Sequence, residues 1–262
     1  MSDIPKYEDK IVAFIDILGF SNLVKSLENE PDLHELLYTC LQTLKSFKTE
    51  SNNENTVTSE YEVSCFSDSI VISGNIYELS GIVWAISWLQ LQLLTRGVLI
   101  RGAITKGKLI HQDDILYGQG MLNAYELESK VSVYPRIILD PGVKFEVPRD
   151  DSFAISFLKE DSDGLTYVDP FSFPGAIGKP CPAICSQHCD DETIANCDSC
   201  GYLSRITAYI DESLKKVKHA GQLAKWKWLH KKLLRAQEKE RIKIEKIAEP
   251  NDPQGPANNS GL

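Results

Sequence analysis

The stretch Val12-Ala13-Phe14-Ile15-Asp16-Ile17-Leu18-Gly19-Phe20 constrains the fold more than any other part of the chain. Its β-branched and aromatic residues from Lys10 to Ile17 predict a buried strand. A carboxylate at the end of such a strand is costly unless a partner compensates it. The same pattern returns in Cys65-Phe66-Ser67-Asp68-Ser69-Ile70-Val71-Ile72-Ser73. There Tyr61 to Phe66 and Ile70 to Ser73 predict a hairpin with Ser67-Asp68-Ser69 at its turn. If that hairpin lies beside the first strand, Asp16 and Asp68 converge on a hard-oxygen site suited to Mg²⁺ or Mn²⁺. Each aspartate alone has a plainer role, Asp16 as a turn or cap residue before Gly19 and Asp68 as a turn residue between two serines. The metal reading rests on the two taken together.

The chain has 262 residues and 42% apolar content, enough for one sizeable core with an appendage. Ser21 is a plausible cap for a helix through Leu27, and Pro31-Asp32 opens a second, with Leu33, Leu36, Leu37, Cys40, Leu41 and Leu44 at helical spacing. Tyr77 to Leu94 predicts a buried helix, and Val98 to Ile104 a strand, with Lys106 to Ile110 as another after a turn. Gly118 to Ser129 predicts a helix and Arg136 to Leu139 a strand, and Phe153 to Leu158 with Leu165 to Val168 predicts a last hairpin. The expected class is α+β, a mainly antiparallel sheet with helices on one face. The expected division is 1–170 for the main domain, 171–201 for a Cys-rich segment, 202–249 for a long basic amphipathic helix, and 250–262 for a disordered tail.

The net charge of -9 gives no global argument for nucleic-acid binding. The apolar region from Gly81 to Ile104 is interrupted by Gln90, Gln92, Arg96 and Arg101, so no membrane span is expected. No stretch has the layout of a secretion signal, so a cytoplasmic location with reduced or metal-bound thiols is expected.

Phe14-Ile15-Asp16-Ile17-Leu18-Gly19-Phe20 resembles the first metal motif of class III nucleotide cyclases, and Phe66-Ser67-Asp68-Ser69 resembles their second. Arg101-Gly102-Ala103-Ile104, Tyr117-Gly118, Ala124-Tyr125-Glu126-Leu127-Glu128 and Tyr134-Pro135-Arg136-Ile137 most resemble the stand-alone pyrimidine cyclases of bacterial Pycsar anti-phage systems, as does Trp226-Lys227-Trp228-Leu229-His230. The resemblance implies a uridylate or cytidylate cyclase, uridylate preferred, that uses two Mg²⁺ or Mn²⁺ ions at a site shared across a homodimer. A separate effector would respond only to the cyclic product. By that resemblance the metal ligands are Asp16, the backbone carbonyl of Ile17, and Asp68. Tyr61, Ser64 and Phe66 are candidates for the base pocket, and Ser64 stands where adenine-selective members carry a Lys. Leu122 and Glu126 stand where the wider family has a transition-state Asn and Arg, and Asn123 is displaced from the first of these by about 100° around the helix. Arg101 is therefore the candidate catalytic cation near the triphosphate, with a place on the polar face of an edge strand as its plainer role. Glu126 and Glu128 read as solvated helix positions, and Arg136 as half of a surface salt bridge.

Cys181, Cys185, His188, Cys189, Cys197 and Cys200 crowd one Pro/Gly-rich segment. Cys197-x₂-Cys200 has the spacing of a tetrahedral zinc ligand pair. Cys185 and Cys189 complete the preferred structural Zn²⁺ set, with Cys181 and His188 as alternates, and free thiols are the plainer reading. The basic helix that follows is expected to pack across a partner subunit. Two further readings stand beside the cyclase: a catalytically silent nucleotide-binding module, and a zinc-containing nucleic-acid-binding protein.

Overall fold

The computed structural model describes residues 5–46, 61–113, 115–146, 152–172 and 201–248. Strand β1 (Glu8–Ile17) is the spine of the sheet, since β3 (Ser69–Gly74) and β4 (Ile100–Gln112) pair with it antiparallel on either side. Beyond β3 lies β2 (Tyr61–Phe66), and beyond β4 come β6 (Ile137–Leu139), β8 (Thr166–Val168) and β7 (Leu158–Glu160), with β5 (Ile115–Tyr117) folded back on β4. Only the β4–β6 neighbours run parallel.

Helices cover both faces of this sheet, which corrects the expectation of one. The alternating side chains of β1 explain why. Ile11, Ala13, Ile15 and Ile17 enter the main core with Leu33, Leu37, Cys40 and Leu44 of α2 (Pro31–Ser46) and with Ile82, Ile86, Leu89 and Leu93 of α3 (Leu79–Leu94). Val12 and Phe14 point the other way, onto Val71, Leu109 and Ala124 of α4 (Gln119–Val131). A strand apolar on both alternations has to be buried on both sides. Helix α4 sits close to the sheet because two glycines meet there: a Cβ on Gly107 would lie 2.8 Å from Gly120 N. Thr105 Oγ1 donates to Gly120 O at 3.1 Å.

That contact also explains why residues 100–112 form one strand rather than two. Lys106 and Gly107 stay in register with Ile11 and Lys10, so the glycine serves helix packing and not a turn. The first helix, α1 (Phe20–Ser26), begins after Gly19 at φ 75° with no side-chain cap, so Ser21 lies inside it. Helix α5 (Pro141–Glu146) follows β6. The expected strand at 153–158 is largely helix α6 (Ser152–Phe157), where Ala154 and Phe157 are buried at helical spacing.

The predicted long C-terminal helix is two helices, α7 (Gly201–Lys216) and α8 (Ala220–Ala248), broken just before Gly221. Part of their apolar face is used within the chain. Ile206, Ile210, Leu229 and Leu233 join Leu91, Leu94, Leu99 and Phe171 in a second core. Trp228 of α8 packs with Ala103, Ile138 and Tyr167, on the same sheet face as Phe14.

Candidate active site

Asp16 follows Val12 and Phe14 in alternation and faces the α4 side of the sheet, between Ser69 of β3 and Arg101 of β4 in register. The two-residue turn Ser67-Asp68 closes the β2–β3 hairpin, with Ser67 at φ 53°. Ile17 N donates to Asp68 O at 2.9 Å, which fastens that turn to the end of β1. The two aspartates, far apart in sequence, thus come from touching backbone segments.

Their charges act on each other. Burial pushes the Asp16 carboxyl above its ordinary range, Arg101 pulls it back, and the negative charge of Asp68 pushes it up again. The Asp16 side chain keeps 21% of its surface open to solvent, so an ion can reach it. Among the described residues no group of three or more His, Cys, Asp and Glu could hold a metal ion. A cation here would take two protein carboxylates and fill its shell from backbone, water or substrate. Mg²⁺ is commonly held this way, by one or two carboxylates plus phosphates, and the donor set fits it.

Arg101 Nε lies 2.6 Å from Glu128 Oε1 and 3.4 Å from Asp16 Oδ2. Arg101 Nη1 donates to Ser132 O at 3.4 Å. Glu128 is buried, which corrects its reading as a solvated position. It lies one helical turn from buried Ala124, on the face of α4 that meets the sheet. Its contact with Arg101 is an ion pair without hydrogen-bond alignment. Burial raises its carboxyl, Arg101 lowers it and Asp16 raises it again. Glu126 is exposed and pairs with Lys130 at 3.0 Å, and Leu122 is exposed on the same helix. The cation at this site therefore comes from β4, not from α4.

The base-pocket candidates divide. Ser64 and Phe66 share the face of Asp16 through their partners Val71 and Ser69. Phe66 is 81% exposed at the rim. Ser64 Oγ is 2.9 Å from His111 Nε2, and Ser73 Oγ is 2.8 Å from His111 Nδ1. Tyr61 lies on the opposite face, buried in the main core, where burial and Glu78 raise its hydroxyl. Cys181, Cys185, His188, Cys189, Cys197 and Cys200 lie outside the described residues.

Two residues escaped sequence reasoning. Half-buried Lys225 of α8 acts electrostatically on both Asp16 and Arg101. Arg136 is not at the surface but wholly buried, paired with Asp161 at 2.6 Å and with Asp163. A sequence clue to the first exists in hindsight: Lys225 stands three, four and seven residues before Trp228, Leu229 and Lys232, on the packed stripe of the helix.

No protein-family model matches the sequence, and no curated protein matches it. Among solved structures, a bacterial light-regulated adenylyl cyclase aligns at 15% identity with a TM-score of 0.42, over 64% of this chain and 54% of its own. This chain thus spans about half the length of that protein. The monomeric guanylyl cyclase domain of a RhoGC fusion protein from Blastocladiella emersonii aligns at 16% identity and 0.41, over 62% of this chain and 94% of its own. A class III adenylyl cyclase-like ATP-binding protein from Pseudomonas aeruginosa aligns at 12% identity and 0.40, over 63% and 39%. At these values the alignments carry no argument about activity, which has to come from the site. No helix among the described residues is long and apolar enough to cross a membrane.

Proposed function

We propose that this chain is a metal-dependent pyrimidine nucleotide cyclase, converting UTP to 3′,5′-cyclic UMP and pyrophosphate as a messenger synthase in anti-phage defence. The observation that carries the reading is the hydrogen bond from Ile17 N to Asp68 O, which brings two mutually repelling aspartates to one sheet end, Asp16 beside Arg101. Asp16, Asp68 and the Ile17 carbonyl would hold two Mg²⁺ or Mn²⁺ ions. Bound divalent cations would lower the pKa of a coordinated hydroxyl and neutralise phosphate charge. The reaction forms a bond from the ribose 3′ oxygen to the α-phosphorus and breaks the bond to the β-phosphate oxygen. The hydroxyl proton leaves to solvent, and pyrophosphate carries away the electron pair.

The protein's share is positioning and charge. Asp16 and Asp68 fix the reacting end. Arg101, braced by Glu128, offers its guanidinium to the triphosphate. Ser64 and Phe66, on the same face, are placed to meet the base, with His111 orienting the Ser64 hydroxyl. Phe66, Leu122 and Tyr125 each expose a large apolar side chain, which favours a homodimer that completes the site from a second copy. Residues 181–200 are assigned a structural Zn²⁺ held by Cys185, Cys189, Cys197 and Cys200, and the protein is placed in the cytoplasm, with its effector reached only through the product.

A second reading has its own support. Arg101 is engaged by two carboxylates, and α4 presents no Asn/Arg pair, which suits a silent nucleotide-binding module. Incubation with each of the four nucleoside triphosphates and Mn²⁺ separates the two. Cyclic UMP as main product supports the proposal, cyclic CMP moves the base preference, and bound but unconverted nucleotide favours the silent module. Asp16→Ala and Asp68→Ala should each remove product, by about a hundredfold or more, with circular dichroism unchanged. Full turnover in both variants would end the enzyme reading.

A further inference from the structure

We propose that Lys225, on the C-terminal helix, is a phosphate-binding residue of the same site, reaching the terminal phosphates of a nucleoside triphosphate. This deepens the reading above and rests on it for the identity of the ligand.

The argument starts from how α8 is seated. Trp228 Nε1 donates to Asp161 Oδ2 at 2.7 Å, and Lys232 Nζ donates to Asp161 Oδ1 at 2.6 Å. The Trp228 indole stacks on Tyr134 at 5.7 Å and 13° and meets Tyr167 edge-on at 5.6 Å. Leu229 and Leu233 are buried on the same side. These contacts fix the rotation of the helix about its axis. Lys225 lies on that inward stripe, since residues three, four and seven apart share a helix face. This part of α8 also abuts the site by a separate route. Leu18, two residues past Asp16, packs in one cluster with Trp226 and Trp228. Tyr134, under Trp228, follows by two residues the Ser132 carbonyl that accepts from Arg101.

Lys225 is half-buried, and among the described residues it forms no ion pair. Its ammonium is held below its ordinary range by burial and by Arg101, with Asp16 opposing. Two cations are thus held near one partly buried carboxylate. When Asp16 is taken up by a divalent ion, Arg101 keeps Glu128 but Lys225 keeps no counter-charge. Positive charge then accumulates at a partly desolvated place, which favours a ligand carrying several negative charges. The ammonium is a compact three-donor group suited to phosphate oxygens. The exposed lysines further along α8 share neither the burial nor the seat.

The test uses the full chain and a probe without a base. Inorganic triphosphate in Mg²⁺ buffer is titrated calorimetrically into wild type, Lys225→Met, Lys225→Arg and the exposed neighbour Lys227→Met. Lys225→Met should weaken triphosphate about tenfold, the size of one charge-assisted contact. Lys225→Arg should restore most of the loss, and Lys227→Met should match wild type. Equal affinity in wild type and Lys225→Met, or no triphosphate binding by wild type, overturns the proposal. Cyclic product from a nucleoside triphosphate with no Lys225 effect on triphosphate sinks this inference and leaves the cyclase standing. A Lys225-dependent triphosphate site in a chain that converts none of the four nucleotides sinks the cyclase and leaves the phosphate site.

Discussion

Replacing Asp161 by Asn removes one charge from a set of four, three of them buried and Asp163 exposed. Arg136 and Lys232 supply the two cations, Asp161 and Asp163 the two carboxylates. Asp161 accepts from Arg136 Nη1 at 2.6 Å, Lys232 Nζ at 2.6 Å, Trp228 Nε1 at 2.7 Å and its neighbour Ser162 N at 2.7 Å. In Asp161→Asn, Arg136 still has Asp163, but Lys232 has no other ion pair among the described residues, only the more remote charge of buried Asp169, and 7% exposed side-chain surface. Stranding one member of a buried pair costs about 3–5 kcal/mol. The faces of Tyr167 and Trp228, at 4.8 and 5.1 Å, hold the ammonium in wild type and variant alike, so they leave this difference unchanged. The expected loss is therefore about 3–5 kcal/mol, a large share of the 5–15 kcal/mol typical of a domain. Urea unfolding followed by tryptophan fluorescence reads it directly. Adding Lys232→Met removes the stranded charge and should recover most of the loss. The pH dependence has a definite sign. Burial raises Asp161, but hydrogen bonds from Lys232, Trp228 and Ser162 outweigh it and hold the carboxyl below its ordinary range. A carboxyl held down in the folded state adds stability that is complete above its unfolded value near ~3.9 and is lost as pH falls toward the depressed value. The gap between wild type and Asp161→Asn should be full at neutral pH and shrink in acid. A single variant within about 1 kcal/mol of wild type, or a double variant no better than the single, would refute the reasoning.

Mn²⁺ affinity should rise with pH through a window above the ordinary carboxylate range, because Asp16 must lose a proton that burial and Asp68 help it keep; calorimetry at several pH values checks this, and Asp68→Asn should move the window down as it weakens binding. Glu128→Gln should send Arg101 toward Asp16 and weaken Mn²⁺ several-fold, with unchanged affinity counting against Glu128 as the brace of Arg101. The purified chain should carry about one zinc per molecule, lost in a Cys197→Ser, Cys200→Ser double variant, and elemental analysis decides it.

Much of this arrangement was legible in the residue order. Ile11 to Ile15 is apolar in both alternations, which argues for burial on both faces against the single helical face expected, and the Ser-Asp-Ser turn placed Asp68 at a hairpin tip. Gly107 misled, because a glycine required for helix approach looks the same as one required for a turn. The 152–157 helix was missed because six residues show too little periodicity to separate helix from strand. The charged residues were the harder part. Arg136, Glu128 and Lys225 look like surface, yet each is buried or half-buried against groups remote in sequence. Arg136 meets Asp161, 25 residues away, and Asp161 meets Lys232, 71 residues away. Helical or strand spacing cannot report such pairings, since it describes one element at a time.

The 29-residue helix α8 has its fulcrum off centre. At about 1.5 Å per residue, Lys225 lies about 10 Å to one side of the Lys232 anchor, whereas Ala248 lies about 24 Å to the other. Any rocking of the rod about that pivot swings Ala248 more than twice as widely as Lys225. The lever is therefore geared down: a displacement at Ala248 reaches Lys225 cut by more than half, while only a loss of the anchor itself would let the ammonium drift.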